Sequence, residues 1–118
     1  MPEIAEIDAL VTEWSTVPDI AEALGVDVTK VRQLLREHKL IGVRRDGVLR
    51  VPAAFVQQGA VLKGLPGTLT VLADSGFSDD EALRWLFTPD DSLPGSPVQA
   101  LVENRGTEVK RRAQALAF

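Results

Sequence analysis

Residues 16–52 read TVPDIAEALGVDVTKVRQLLREHKLIGVRRDGVLRVP, and the fold is decided there. Pro18 suits the first position of a helix, where no backbone N–H is needed. Ile20, Ala21 and Leu24 supply an inward stripe at three-to-four spacing, and Gly25 ends that helix. Asp27 is a good N-cap for a second helix over 28–38. In it Val31, Leu34, Leu35 and His38 share one face, with Val28 beside them. Thr29, Arg32, Gln33 and Arg36 project the other way, with Lys30 at the edge. Two short helices joined by a tight Gly-containing turn form a helix-turn-helix, whose second helix is built to enter a DNA major groove.

The next residues extend that reading. Leu40, Ile41 and Val43 lead into Arg44-Arg45-Asp46-Gly47, and Val48, Leu49 and Val51 follow. Asp-Gly between two apolar β-prone runs is a strong hairpin signal, so 41–51 is expected to form a two-stranded wing. Arg44 and Arg45 occupy its tip and Arg50 its returning strand. A basic hairpin beside a recognition helix can reach phosphates or the minor groove. The expected DNA-contacting set is Thr29, Lys30, Arg32, Gln33, Arg36, Arg44, Arg45 and Arg50, with Thr29 and Gln33 suited to base edges.

Net charge alone opposes this, because the 118-residue chain carries −4 at pH 7. Its distribution does not. Residues 1–27 hold seven acids and no Lys or Arg, residues 28–50 balance at +5, and the remainder at −2. Positive charge collects on the expected helix and wing. The acidic remainder should make affinity modest at physiological salt. The chain has no cysteine, no signal-peptide-like segment and no apolar run of membrane-spanning length. The expectation is a soluble, nucleoid-associated cytoplasmic protein with no membrane partner.

On the N-terminal side, Ile4, Ile7, Leu10, Val11 and Trp14 fall at helical spacing, which predicts an amphipathic helix packing Trp14 against the body. Thr12, Ser15 and Thr16 offer hydroxyls in this segment, which makes a Ser/Thr kinase a candidate partner. After the wing, Pro52 to Val56 reads as a helical turn loosened by Gln57-Gln58-Gly59. A helix is expected over about 68–73. Ser78-Asp79-Asp80-Glu81 then gives a capping-box pattern for a helix with Ala82, Trp85 and Leu86 inward and Phe87 beside them. Its acids fit the cap and the helix dipole better than a catalytic cluster. Ser96-Pro97 starts a further helix with Val98, Leu101 and Val102 as its stripe. The last helix, from Thr107, puts Val109, Ala113, Leu116 and Phe118 inward and Lys110, Arg111 and Arg112 outward.

The expected fold is mainly α: a winged helix-turn-helix over 1–58 with a helical region, 59–118, packed on it. About 40 residues of helix-turn-helix and wing bury too little surface to be stable alone. Enzymatic signals are missing. His38 is the lone histidine, on the face read as buried, and no cysteine joins it to build a metal site. There is no Gly-rich phosphate loop with its Lys and no nucleophile elbow. No enzyme activity and no cofactor are expected.

Three stretches carry a resemblance: VPDIAEALGV at 17–26, GLPGTLTVLADSGFSDDEALRWLFTPD at 64–90 and KRRAQALAF at 110–118. Through them, from about residue 10 to 118, the chain resembles a small actinobacterial family of winged helix-turn-helix DNA-binding proteins. Its N-terminal half is also similar to the MerR and excisionase type of winged helix. The resemblance implies double-stranded DNA binding through 28–38 and 41–51, sequence-specific or architectural, in a transcriptional regulator, and no enzyme activity. Separately, RWLFTPDDSLPGSPVQALV at 84–102 is similar to the toxin-binding domain of some antitoxins. That likeness implies an alternative role, a protein-interaction module or self-association acting through the C-terminal helices.

Overall fold

The computed structural model describes Ile7, residues 9–93 and residues 95–116. Helix α1 spans Val17–Leu24 and opens with a capping box. The Thr16 hydroxyl accepts from the Asp19 N–H at 3.3 Å, and the Asp19 carboxylate accepts from the Thr16 N–H at 3.3 Å. Gly25, at φ 70°, ends the helix, and the Val26 N–H returns to the Ala21 carbonyl at 3.0 Å. Helix α2 spans Val28–Arg36, with the Asp27 carboxylate accepting from the Lys30 N–H at 3.0 Å. Val31 and Leu34 are its buried residues.

Helix α2 is shorter than the 28–38 expected. His38 takes a left-handed backbone at φ 57°, and the Lys39 N–H bonds back to Leu34 O at 2.9 Å. The chain reverses there, and Leu40 and Ile41 enter the core. This corrects the placement of His38 on the buried face. Its side chain is 50% exposed, and Nε2 lies 3.1 Å from Asp79 Oδ1 at the start of a distant helix.

The wing is strand β2, Val43–Arg45, paired antiparallel with strand β3, Val48–Pro52. Asp46 at φ 53° and Gly47 at φ 78° form the turn, the geometry that Asp-Gly favours. Gly42 lies at the root, where a Cβ would collide with the Arg50 carbonyl oxygen. The sheet is larger than a two-stranded wing. Strand β1, Trp14–Thr16, pairs with the other edge of β3 in the register Trp14↔Pro52 and Thr16↔Arg50. Trp14 is therefore in a strand, not in an N-terminal helix. Ile7, Ala9 and Leu10 are helical, the Val11 N–H closes on Ile7 O at 2.8 Å, and Ile7 and Val11 are buried. The helical reading of residues 1–6 lies outside the described residues.

Beyond Pro52 a 3₁₀ turn, Ala53–Phe55, leads to a second hairpin, β4 (Val56–Gln57) and β5 (Ala60–Val61). Gln58 and Gly59, at φ 53° and 79°, make its turn, where a loosened helical turn was expected. Helix α3 spans Leu65–Asp74, α4 Asp79–Phe87, α5 Pro97–Val102 and α6 Gly106–Ala115. Gly64, at φ 87°, lets the starts of α3 and α6 meet backbone to backbone: a Cβ there would lie 3.3 Å from Gly106 Cα. The Ser78–Glu81 capping box is present, with bonds of 2.9 and 3.2 Å. Helix α4 buries Ala82, Leu83 and Leu86, while Trp85 is only half-buried. Of the residues assigned inward on α6, Val109 and Ala113 are buried, Leu116 is exposed and Phe118 lies outside the described residues.

Arg112 does not project freely from α6. Its Nε donates to Ser92 Oγ at 2.8 Å and Nη2 to Ser92 O at 3.0 Å, while Ser92 Oγ donates to Asp90 at 2.6 Å. These bonds hold the α4–α5 connection with Leu93 turned into the core. One continuous apolar cluster runs from Val17 in α1 to Ala113 in α6. Phe55 and Phe87 meet within it at 5.7 Å between ring centroids. The radius of gyration, 13.5 Å, equals that of one compact body of this length. No helix among the described residues is long and apolar enough to cross a membrane.

Candidate nucleic-acid interface

Helix α2 buries one stripe and leaves Thr29, Lys30, Arg32 and Arg36 exposed, with Gln33 half-buried. At 100° per residue, Thr29 and Arg36 lie opposite the Val31–Leu34 stripe, and Arg32 and Gln33 flank them. Gln33 is engaged within its helix, where Nε2 donates to Glu37 Oε2 at 3.1 Å. That bond, followed by the nearby Lys39 and Lys30 ammonium groups, holds the Glu37 carboxyl below the ordinary glutamate value. Lys39 Nζ is 3.5 Å from the other Glu37 oxygen, so this acid is offset beside the reading face.

The sheet sorts its arginines by alternation. In the register Arg44↔Leu49 and Arg45↔Val48, Arg44 shares a face with Leu49 and Val51, whereas Arg45 and Arg50 share the other with Trp14. Arg44 is exposed, and its face is the one whose Val51 enters the core. A cleft of about 360 Å³ opens between the wing and α2, lined by Thr16, Val17, Pro18, Arg32, Arg44, Gly47, Val48 and Leu49. Two guanidinium-bearing residues from different elements therefore border one opening, with no carboxylate among its described lining residues.

The remaining wing arginines are placed differently. The Arg45 guanidinium lies over the Trp14 ring, 5.8 Å from its centroid. Arg50 is half-buried between β1 and β2, and its Nε is enclosed without a hydrogen-bond partner. The eight residues singled out from sequence thus fall into three settings: the exposed face of α2, the cleft shared by Arg32 and Arg44, and the sheet face that Arg45 and Arg50 share with Trp14. The contribution of Thr16 to Pro18 to the cleft was not read from sequence. It follows from the β1–β3 pairing, which a three-residue strand signals too weakly.

A family model described as "DNA-binding protein Rv2175c, wHTH domain" matches residues 5–56. A second, "Rv2175c C-terminal domain of unknown function", matches residues 62–117. The chain is 49% identical over 115 residues to the DNA-binding protein Rv2175c of Mycobacterium tuberculosis, covering 86% of this chain and 79% of that protein. It belongs to the Rv2175c family. The NMR structure of Rv2175c superposes with a TM-score of 0.81 at 45% identity, over 90% of this chain and 82% of that one. The resemblance to a small actinobacterial winged helix-turn-helix family and the mainly α winged fold are thereby both established. In this member the winged model covers α1, α2 and the three-stranded sheet, and the second model covers the helices from α3 onward.

Proposed function

We propose that this chain binds double-stranded DNA and acts in transcription regulation, with α2 in the major groove and the wing on the flanking backbone. The observation that carries the reading is the cleft bordered by Arg32 and Arg44 beside the exposed Thr29, Lys30 and Arg36. A phosphate seated there would meet two guanidinium groups on separate rigid elements, which fixes register as well as affinity. Thr29 faces furthest from the core and is the first candidate for a base edge. Gln33 is the second: its bond to Glu37 uses one amide N–H and leaves the other N–H and Oε1 to meet a base edge. The relative named as a DNA-binding protein supports the same reading. No cofactor and no catalytic step are invoked.

The test is anisotropy titration of a labelled random-sequence duplex by the full chain at several salt concentrations. Binding whose log affinity falls linearly with log salt is the expected result. The competing reading is a protein-binding module acting through the C-terminal helices. It predicts no salt-dependent DNA binding by the same protein.

A further inference from the structure

Helix α4 turns Ala82, Leu83 and Leu86 into the core and leaves Trp85 half-buried. Trp85 lines a cleft of about 340 Å³ together with Thr88, Pro89, Asp90, Asp91 and Pro97. An aromatic ring, two prolines and two carboxylates thus meet at one opening, with no Lys, Arg or His among its described lining residues. Among the described residues, the Trp85 indole N–H and the Asp91 carboxylate have no hydrogen-bond or ion-pair partner.

The acidic rim is held in place. The Asp90 N–H donates to Gly95 O and the Leu93 N–H to Asp90 O, each at 2.9 Å, and Leu93 is anchored in the core. Ser92 donates to Asp90 Oδ1 from its N–H at 2.8 Å and its hydroxyl at 2.6 Å. Pro97 opens α5 behind the Ser96 cap. Prolines at 89 and 97 fix their backbone angles, and a site whose walls are already ordered loses little freedom on binding.

The lining selects its occupant by charge. Two carboxylates beside an indole attract a cation, through the charges and through the ring quadrupole, and they repel a nucleic-acid phosphate. A guanidinium meets both demands, because it is planar, weakly hydrated, stacks on indole and forks onto carboxylates.

We infer that this cleft is a docking site for an arginine side chain of a partner polypeptide. It adds a protein contact to the DNA-binding reading above and does not depend on it.

The test is NMR titration of the nitrogen-15-labelled full chain with the uncharged-flank peptide Gly-Ser-Gly-Arg-Gly-Ser-Gly, and with the same peptide carrying citrulline in place of arginine. Citrulline keeps the shape and removes the charge. The two indole N–H signals are assigned with Trp85→Phe. The arginine peptide should shift the Trp85 signal saturably and leave that of Trp14 in place, and the citrulline peptide should shift neither. Asp91→Asn, an exposed position, should weaken the arginine peptide about fivefold, the upper value of one exposed ion pair. Glu22→Gln, the same charge change on α1, should leave it unaltered. A Trp85 signal unmoved by millimolar arginine peptide would overturn the inference, as would an equal response to the citrulline peptide or wild-type affinity in Asp91→Asn. Self-association of the full chain that Asp91→Asn abolishes would make the occupant a second copy and overturn the assignment to a separate partner.

Discussion

The Arg45 guanidinium lies over the Trp14 indole, 5.8 Å from its centroid, joining the wing strand β2 to β1 across β3. Arg44, one residue earlier, points to the opposite face and borders the cleft with Arg32. Two adjacent arginines therefore have separable roles. Arg45→Ala should lower stability by about 0.5–1 kcal/mol through the lost cation–π contact and change the salt slope of DNA binding little. Arg44→Ala should leave stability within about 0.5 kcal/mol and lower the slope by about 0.9. Urea denaturation and salt titration of the two variants check the pair of outcomes.

The folding core should depend on Leu83 more than on Trp85. Leu83 is fully buried on α4, and Trp85 lies half-buried in its last turn. Leu83→Ala is expected to cost about 2–5 kcal/mol, with Trp85→Ala costing clearly less. Because one apolar cluster joins α1 to α6, DNA affinity at elevated temperature should fall with Leu83→Ala, although Leu83 is remote from the cleft. Denaturation midpoints that place Trp85→Ala below Leu83→Ala would contradict this packing.

Acid should weaken the C-terminal helices. The Ser78 N–H and hydroxyl hold the Glu81 carboxyl below its ordinary 4.5, and the Ser92 hydroxyl, with its N–H, holds Asp90 below 3.8. Both groups have a folded value lower than the unfolded one. Their contribution is therefore complete above about pH 4.5 and is lost as pH falls through the folded values. Urea midpoints measured from pH 7 down to pH 3 should decline below about 4.5. In Glu81→Gln the share due to Glu81 should vanish, giving a shallower decline.

Local chemistry made much of the fold legible. Asp27, Gly25, Ser78 and Asp46-Gly47 each act within three residues of their own position, and each is found performing the expected cap or turn. What escaped the sequence was set by distant partners. Trp14 belongs to a strand because the free edge of β3 pairs with it, and no periodicity within 4–14 encodes that edge. On α4 the buried side chain is Leu83, where Trp85 was expected inward, because packing against the other helices and not the period within 78–87 decides which face turns to the core. The Gln58-Gly59 hairpin uses a glutamine at positive φ, a residue with little intrinsic preference for it. At the candidate site, the residue types on α2 were readable from helical period alone. The division of Arg44 from Arg45 and Arg50 required the strand register.

The central claim is that Arg32 and Arg44 meet the DNA backbone together. It is tested most directly by the salt dependence of affinity for wild type and the double variant Arg32→Ala/Arg44→Ala, on one random-sequence duplex. If each residue neutralises one phosphate, the double variant should lose about 1.8 from the slope of log affinity against log salt. It should melt cooperatively near the wild-type temperature, since both side chains are exposed. A double variant with the wild-type slope and wild-type affinity would contradict the account.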